Sequence, residues 1–193
     1  MGDPMSITLN GTTGITTPAS TVGGSAVLTT ASTIAASALP AGSVLQVQHA
    51  VLTTFYSNST NIPIDDSLPQ ITEGGEILTL SITPKSATSK LLIDCCFSVT
   101  TSDGTTIAGI FLFKNSDVDA LAGAWSRTVA SNNPMSPLSF KHYMTSGTTS
   151  AITFRVRGGG IGQAPVFQIN GGSGTRYLGG ALASTITITE VAV

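Results

Sequence analysis

The sequence predicts an all-β protein, a jelly-roll β-sandwich of about eight to ten strands, and three observations carry that expectation. Charged residues make up only 9% of the 193 positions, and 23 Ser and 29 Thr fill the space they leave. A typical domain carries about 25% charge, Thr favours strands and Ser favours turns. Residues 77–100 read ILTLSITPKSATSKLLIDCCFSVT, two apolar β-prone runs around a polar break that begins at Pro84. From Val44 onward, short apolar runs alternate with turns rich in Gly, Pro, Asn and Ser, the pattern of a sandwich or barrel. An immunoglobulin-like sandwich is the second choice.

Residues 1–41 read as an extended, low-charge arm and 42–193 as the sandwich domain. The first 43 residues contain no aromatic side chain and a single charge, Asp3, too little to form a core alone. Ile7, Leu9, Ile15, Val22 and Leu28 favour a segment that orders when copies wrap together or dock on a larger body over a plain spacer. A short helix is expected at 32–39, capped by Ser32 and stopped before Pro40. Both Met1 and Met5 stand as candidate starts.

Val44 opens a strand with Leu45, Val47, His49 and Val51 on one face and Gln46, Gln48 and Ala50 on the other. The loop over 57–76 holds a short strand near 61–64. A strand before Pro84 and the longest strand, 91–100, follow. In the latter, Leu91, Ile93, Cys95, Phe97 and Val99 share one face, and Leu92, Asp94, Cys96 and Ser98 the other. Such alternation places one face in a core and turns the other toward water or a partner. Ser102-Asp103-Gly104 reads as a turn. Residues 107–114 are apolar on both sides and therefore central, and 115–137 hold loops around one short strand. Residues 138–145 and 151–157 flank Ser146-Gly147-Thr148-Thr149 as a hairpin, with Ile152, Phe154 and Val156 inward and Thr153, Arg155 and Arg157 outward. Strands near 166–170, 175–178 and 184–193 close the chain.

Composition also excludes function classes. A net charge of −2 without a Lys/Arg run argues against nucleic-acid partners and a charged membrane patch. Neither a signal peptide nor an apolar run near 20 residues is visible, so membrane insertion is not expected. Few charges with a positive mean hydropathy of +0.32 predict that part of the surface is buried in a homo-oligomer. Cys95 and Cys96 are adjacent, point to opposite faces of a strand and form no disulfide framework, which fits synthesis in a reducing cytoplasm.

The combination GSVLQV (42–47), LSITPKSATSKLLI (80–93) and STITITEV (184–191) resembles small structural proteins of tailed bacteriophages, tail-fibre and related virion components. The leader ITLNGTTGITTP (7–18) is similar to N-terminal segments of tail-fibre proteins. The resemblance covers most of 42–193 and implies a jelly roll of the tumour-necrosis-factor and C1q type, hence a homotrimer around a threefold axis. With no coiled-coil or β-helical shaft in the sequence, it implies a short tail fibre or fibre tip in the virion, made in the bacterial host cytoplasm. The arm would attach to other virion proteins of tail or capsid, and distal loops would face a host surface glycan or envelope protein. The alternative is a capsid decoration or head-fibre protein that stabilises the shell; a glycan depolymerase is the remote alternative.

No residue set demands chemistry. His49 and His142 stand outside any cluster with metal-ligand spacing. Asp65, Asp66, Glu73, Glu76, Asp117 and Asp119 lack the spacing of a calcium loop and read as solvated acids. The glycine runs at 158–162 and 172–174 lack the phosphate-loop and dinucleotide endings, and no Gly-x-Ser-x-Gly elbow occurs. The expectation is therefore a non-enzymatic protein with no catalytic residues, metal or cofactor. Trp125, Tyr143, Arg176 and Tyr177, in or beside expected loops, are the candidate ligand-binding residues, because aromatic faces and an Arg fork suit sugar rings and acidic sugars. The competing role for each aromatic is filling a core or a trimer contact.

Overall fold

Alternation of more and less buried residues along most of the long strands sorts the larger part of the chain into two facing sheets. The computed structural model describes residues 21–22, 25–26, 39–102, 107–127, 135–162 and 165–193. The chain divides into two units, Met1–Ala35 and Ala36–Val193. In the first, β1 (Thr21–Val22) pairs antiparallel with β2 (Ser25–Ala26). The rest of the expected arm up to residue 38, most of the 32–39 helix and most of the 102–104 turn lie outside the described residues.

In the second unit, one sheet is built around β7 (Lys90–Thr101). On one edge β7 pairs with β10 (Ser136–Thr145). On its other edge it pairs with β15 (Ser184–Val191) over 90–96 and with β12 (Phe167–Ile169) over 99–101. Beyond these lie β3 (Val44–Leu52), against β15, and β4 (Tyr56–Asn58), against β12. The opposing sheet centres on β11 (Ile152–Ile161), flanked on one side by β8 (Ile107–Lys114) and then β9 (Ala122–Arg127). On its other side run β6 (Gly75–Ile82) and the short parallel β5 (Asn61–Ile62). A small hairpin, β13 (Gly171–Gly172) with β14 (Thr175–Arg176), sits between β12 and β15. Among the described residues eight strands, β3, β6, β7, β8, β9, β10, β11 and β15, run six residues or longer.

This is an all-β jelly roll. The chain crosses between sheets from β6 to β7, β7 to β8, β9 to β10, β10 to β11 and β11 to β12, and stays within one sheet between β8 and β9. The expected hairpin about Ser146-Gly147 is one of these crossings. β10 pairs β7 while β11 pairs β6 and β8, so a turn-like sequence between two alternating runs here connects opposite layers. The core lies between the sheets: Leu91, Ile93, Cys95, Phe97 and Val99 from β7 meet Phe154 and Val156 from β11, Ile110 and Leu112 from β8, and Ile186 and Ile188 from β15. The inward faces read from the sequence for β7 and β11 are the faces observed, and β8 runs between two partner strands as its two-sided apolar character requires.

Candidate functional site

The outward face of the β7 sheet is where the structure departs most from an ordinary soluble surface. Backbone register sets its residues in rows across four strands: Val51, Thr185, Cys96 and Ser139; then His49, Thr187, Asp94 and Lys141; then Val47, Thr189, Leu92 and Tyr143; then Val44, Val191, Lys90 and Thr145. At about 4.8 Å between strands and about 6.8 Å between rows, the grid spans roughly 15 by 20 Å between its outermost Cα atoms. Val44, Val47, Val51 and Tyr143 are each at least half exposed. Lys141 and Asp94 close an ion pair at 2.6 Å near the centre, and His49 Nδ1 lies 2.9 Å from the Thr187 hydroxyl.

The same register shows that β3 carries its apolar side outward. Gln46, Gln48, Ala50 and Leu52 share the side of Ile186 and Ile188, while Val47, His49 and Val51 face away from the core. Leu45 does not join Val47 as the alternation predicts. It is the extra residue of a β-bulge, between the pairs Gln46–Glu190 and Val44–Val191, and Val44 takes the outward place instead. The inward polar residues are held by Glu190, which is fully buried. Its carboxylate accepts from Gln46 Nε2 at 2.6 Å, the Ser89 hydroxyl at 2.6 Å, and the Lys85 and Ser86 amides at 2.8 and 3.3 Å. Gln46 Nε2 also donates to the Thr83 carbonyl at 2.7 Å. A buried carboxyl group is tolerated in a core only when donors of this kind satisfy its oxygens.

On the opposite sheet, the segment between β5 and β6 runs over the outer face. It is pinned by Ile71 N donating to Val118 O at 2.8 Å, Ala120 N to Pro69 O at 2.9 Å and a bridge between Gln70 and Asp119. Arg157 fastens its far end by donating to the Glu73 and Gly74 carbonyls at 3.1 and 2.7 Å, and Arg155 pairs with Glu76 at 3.1 Å. Of the two arginines expected on an outer face, Arg157 thus holds the loop down, whereas Arg155 ties β11 to β6 and donates to the Asn115 carbonyl at 3.1 Å. Between this segment and β9 lies a groove of about 360 Å³, walled by Ile62, Pro63, Ile64 and Trp125 and floored by Phe111 and Ile161, with Asp65 and Ser67 also lining it. Gly109 is the cross-strand neighbour of Trp125 and Gly123 that of Phe111. A Cβ on Gly123 would lie 2.2 Å from the Phe111 ring, and one on Gly109 2.5 Å from Ile161. The Ser67 hydroxyl and amide both donate to Asp65 Oδ1 and hold its carboxyl below the usual carboxylate range.

The four residues singled out from the sequence are not brought together. Trp125 is on β9 in the outer face of one sheet, and Tyr143 is on β10 in the outer face of the other, 5.9 Å from Lys90 Nζ to its ring centroid. Both lie within strands rather than in loops. Arg176 ends β14 and Tyr177 follows it, beside Leu178, which is 73% exposed and held at a φ of 51°. The expected acidic residues are taken up locally: Glu73 accepts from the Gln70 amide at 2.9 Å, and Asp117 pairs with Lys114 at 3.4 Å. Among the described residues no group of three or more His, Cys, Asp or Glu converges as metal ligands, and no helix is long and apolar enough to cross a membrane. Burial pushes the Cys95 thiol up to about 12 and holds His142 below its usual range.

Glu190 was the functional residue the sequence concealed, although the signal is present. In STITITEV it falls in phase with Ile186 and Ile188, so it points inward and requires partners.

Residues 58–193 match the family model of the Pgp3 C-terminal domain. No curated protein matches the chain. Similar solved structures include a tumour necrosis factor, Eiger, from S. frugiperda, at 10% identity over 76% of this chain and 93% of that one, TM-score 0.43. They also include the EclA C-terminal domain, described as a sugar-binding protein, at 14% identity over 65% and 76%, TM-score 0.37. The infectious bursal disease virus VP2 subviral particle is similar at 15% identity over 78% and 38%, TM-score 0.34.

Proposed function

The chain belongs to the Pgp3 C-terminal domain family, and on that premise we propose that it is a non-enzymatic structural and attachment module that works as a homotrimer. The observation that carries this reading is the outward-facing apolar side of β3, continued across β15 and β7 by Thr185, Thr187, Thr189, Val191 and Leu92 to Tyr143. A strand that turns its Gln side chains inward onto Glu190 and its Val side chains outward gains by packing that face on another copy. Each Å² of apolar surface removed from water contributes about 25 cal/mol. The near-neutral, hydroxyl-rich composition offers little competing repulsion between like chains.

The finer part of the proposal is a bacteriophage virion protein, most simply a short tail fibre or fibre tip. Residues 1–41 attach it to the tail, and three copies of the distal loops meet a host glycan or envelope protein, where repetition multiplies weak contacts. The similarity of 7–18 and 184–191 to tail-fibre segments supports this. Capsid decoration is the competing placement, and the same trimer serves it. Antibody labelling of particles tests the placement: label at the tail tip is the expected result, label across the shell transfers the role to the capsid, and unlabelled particles overturn both. Removing residues 5–41 should leave the trimer folded and abolish incorporation into particles. Release of reducing sugar from host polysaccharide would overturn the non-enzymatic assignment.

A further inference from the structure

We propose that the groove beside Trp125 is a saccharide site that takes the pyranose ring of a neutral sugar. This inference rests on the attachment reading for its biological purpose, but its chemistry stands on the groove alone. Trp125 is 63% exposed at the groove wall, so its flat apolar ring is available to a ligand. Its cross-strand neighbour is Gly109, and the Phe111 ring and the Ile161 side chain fill the space above that glycine, forming an apolar floor beside the exposed indole. The volume of about 360 Å³ lies at the lower end of small-molecule sites, about 300 to 1,000 Å³.

Polarity narrows the ligand class. Asp65 Oδ1 is occupied by the Ser67 amide and hydroxyl, which fixes the carboxylate and leaves Oδ2 as an acceptor at the groove edge. An apolar peptide laid here would cover that carboxylate without offering it a donor, an unfavourable burial. A cation would meet Asp65 as a single carboxylate, the one charged side chain among the described residues lining the groove, with no second acid beside it. A pyranose has an apolar C–H face for the indole and a rim of hydroxyls that donate to Asp65 Oδ2. It satisfies both halves of the groove with no net charge.

Trp125 is the sole tryptophan of the chain, so its emission reports this groove alone. The experiment titrates the full chain with glucose, galactose, mannose and N-acetylglucosamine and with disaccharides of each. At least one is expected to give a saturable emission change with a Kd on the order of 1 mM, the range of weak single-site binding. Asp65→Ala should weaken binding at least about tenfold, since it removes the one charged acceptor among the described residues that line the groove. Trp125→Ala, followed by calorimetry, should abolish it. Absence of a response to every sugar, or a response that Asp65→Ala leaves intact, overturns the site. Mass measured on the same samples separates the two readings: a trimer blind to sugars removes the groove and keeps the assembly, whereas a sugar-binding monomer keeps the groove and removes the assembly.

Discussion

The Gln46 side chain donates a 2.6 Å hydrogen bond to the buried Glu190 carboxylate, and this contact fixes which side of β3 meets the core. Shifting β3 by one residue would bring Val47 inward and expose Gln46, but it would also strip Glu190 of a donor in a site closed to water. The apolar face of β3 is therefore directed outward by a polar anchor at the end of the core.

Removing that anchor should be expensive. Glu190→Ala leaves the Lys85 amide, the Ser89 hydroxyl and Gln46 without their shared acceptor, and a loss of about 3 kcal/mol in urea unfolding is expected. Glu190→Gln keeps the shape but exchanges an acceptor for a donor facing donors, and should recover less than half of it. A loss under about 1 kcal/mol for Glu190→Ala would show that the network does not set β3.

The thiols should report the outward face. Cys96 lies in the grid row of Val51 and Thr185, whereas Cys95 is in the core with its thiol pushed up to about 12. Alkylation of the assembled protein should be slow at both. Under conditions that separate the copies without unfolding them, one thiol per chain should react, and peptide mapping should place it at Cys96. Rapid labelling of Cys96 in the assembly would place the contact elsewhere.

Acid should weaken the fold in a defined window. Burial lowers the pKa of His142, so the folded state keeps the neutral ring while the unfolded chain takes up a proton near pH 6.5. The stability contributed by the neutral ring is complete above about 6.5 and is lost as pH falls through the lowered folded value. A stability profile should decline over that span, and His142→Asn should flatten it. Asp65 is held low by Ser67 and acts in a separate range, below the ordinary carboxylate value.

Leu178 should yield a substitution that stabilises. It is exposed and held at a φ of 51°, a conformation that costs a branched L-residue on the order of 1 kcal/mol. Leu178→Gly relieves the strain and removes no buried contact, so a gain of about 0.5 kcal/mol is expected despite the greater freedom of glycine in the unfolded chain. A loss of stability would mean that Leu178 packs on a neighbouring copy.

The sequence made the layers legible and left their connections obscure. β7 and β11 alternate so regularly that their buried sides follow from hydropathy alone. The Ser146-Gly147 turn has hairpin composition, and only the pairing of β10 with β7 shows that it crosses between sheets. Alternation placed Val47, His49 and Val51 together on one side of β3, but which side is inward depends on Glu190, 144 residues from Gln46. Residue type alone marks the candidate ligand residues, and Trp125 and Tyr143 fall on opposite layers because the topology that separates β9 from β10 is written in long-range pairing. The groove at Trp125 depends on the loop pinned through Ile71 and Ala120, and no local motif announces it.

In the proposed trimer, sister chains cover the outward face of β3, β15, β7 and β10. Light scattering on the purified protein at micromolar concentration measures it directly. The expected mass is three times the 19.6 kDa of one chain, falling to a single chain in Val47→Asp, whose buried charge should raise the dissociation constant at least about 100-fold. A mass of one chain for the unaltered protein would contradict the account.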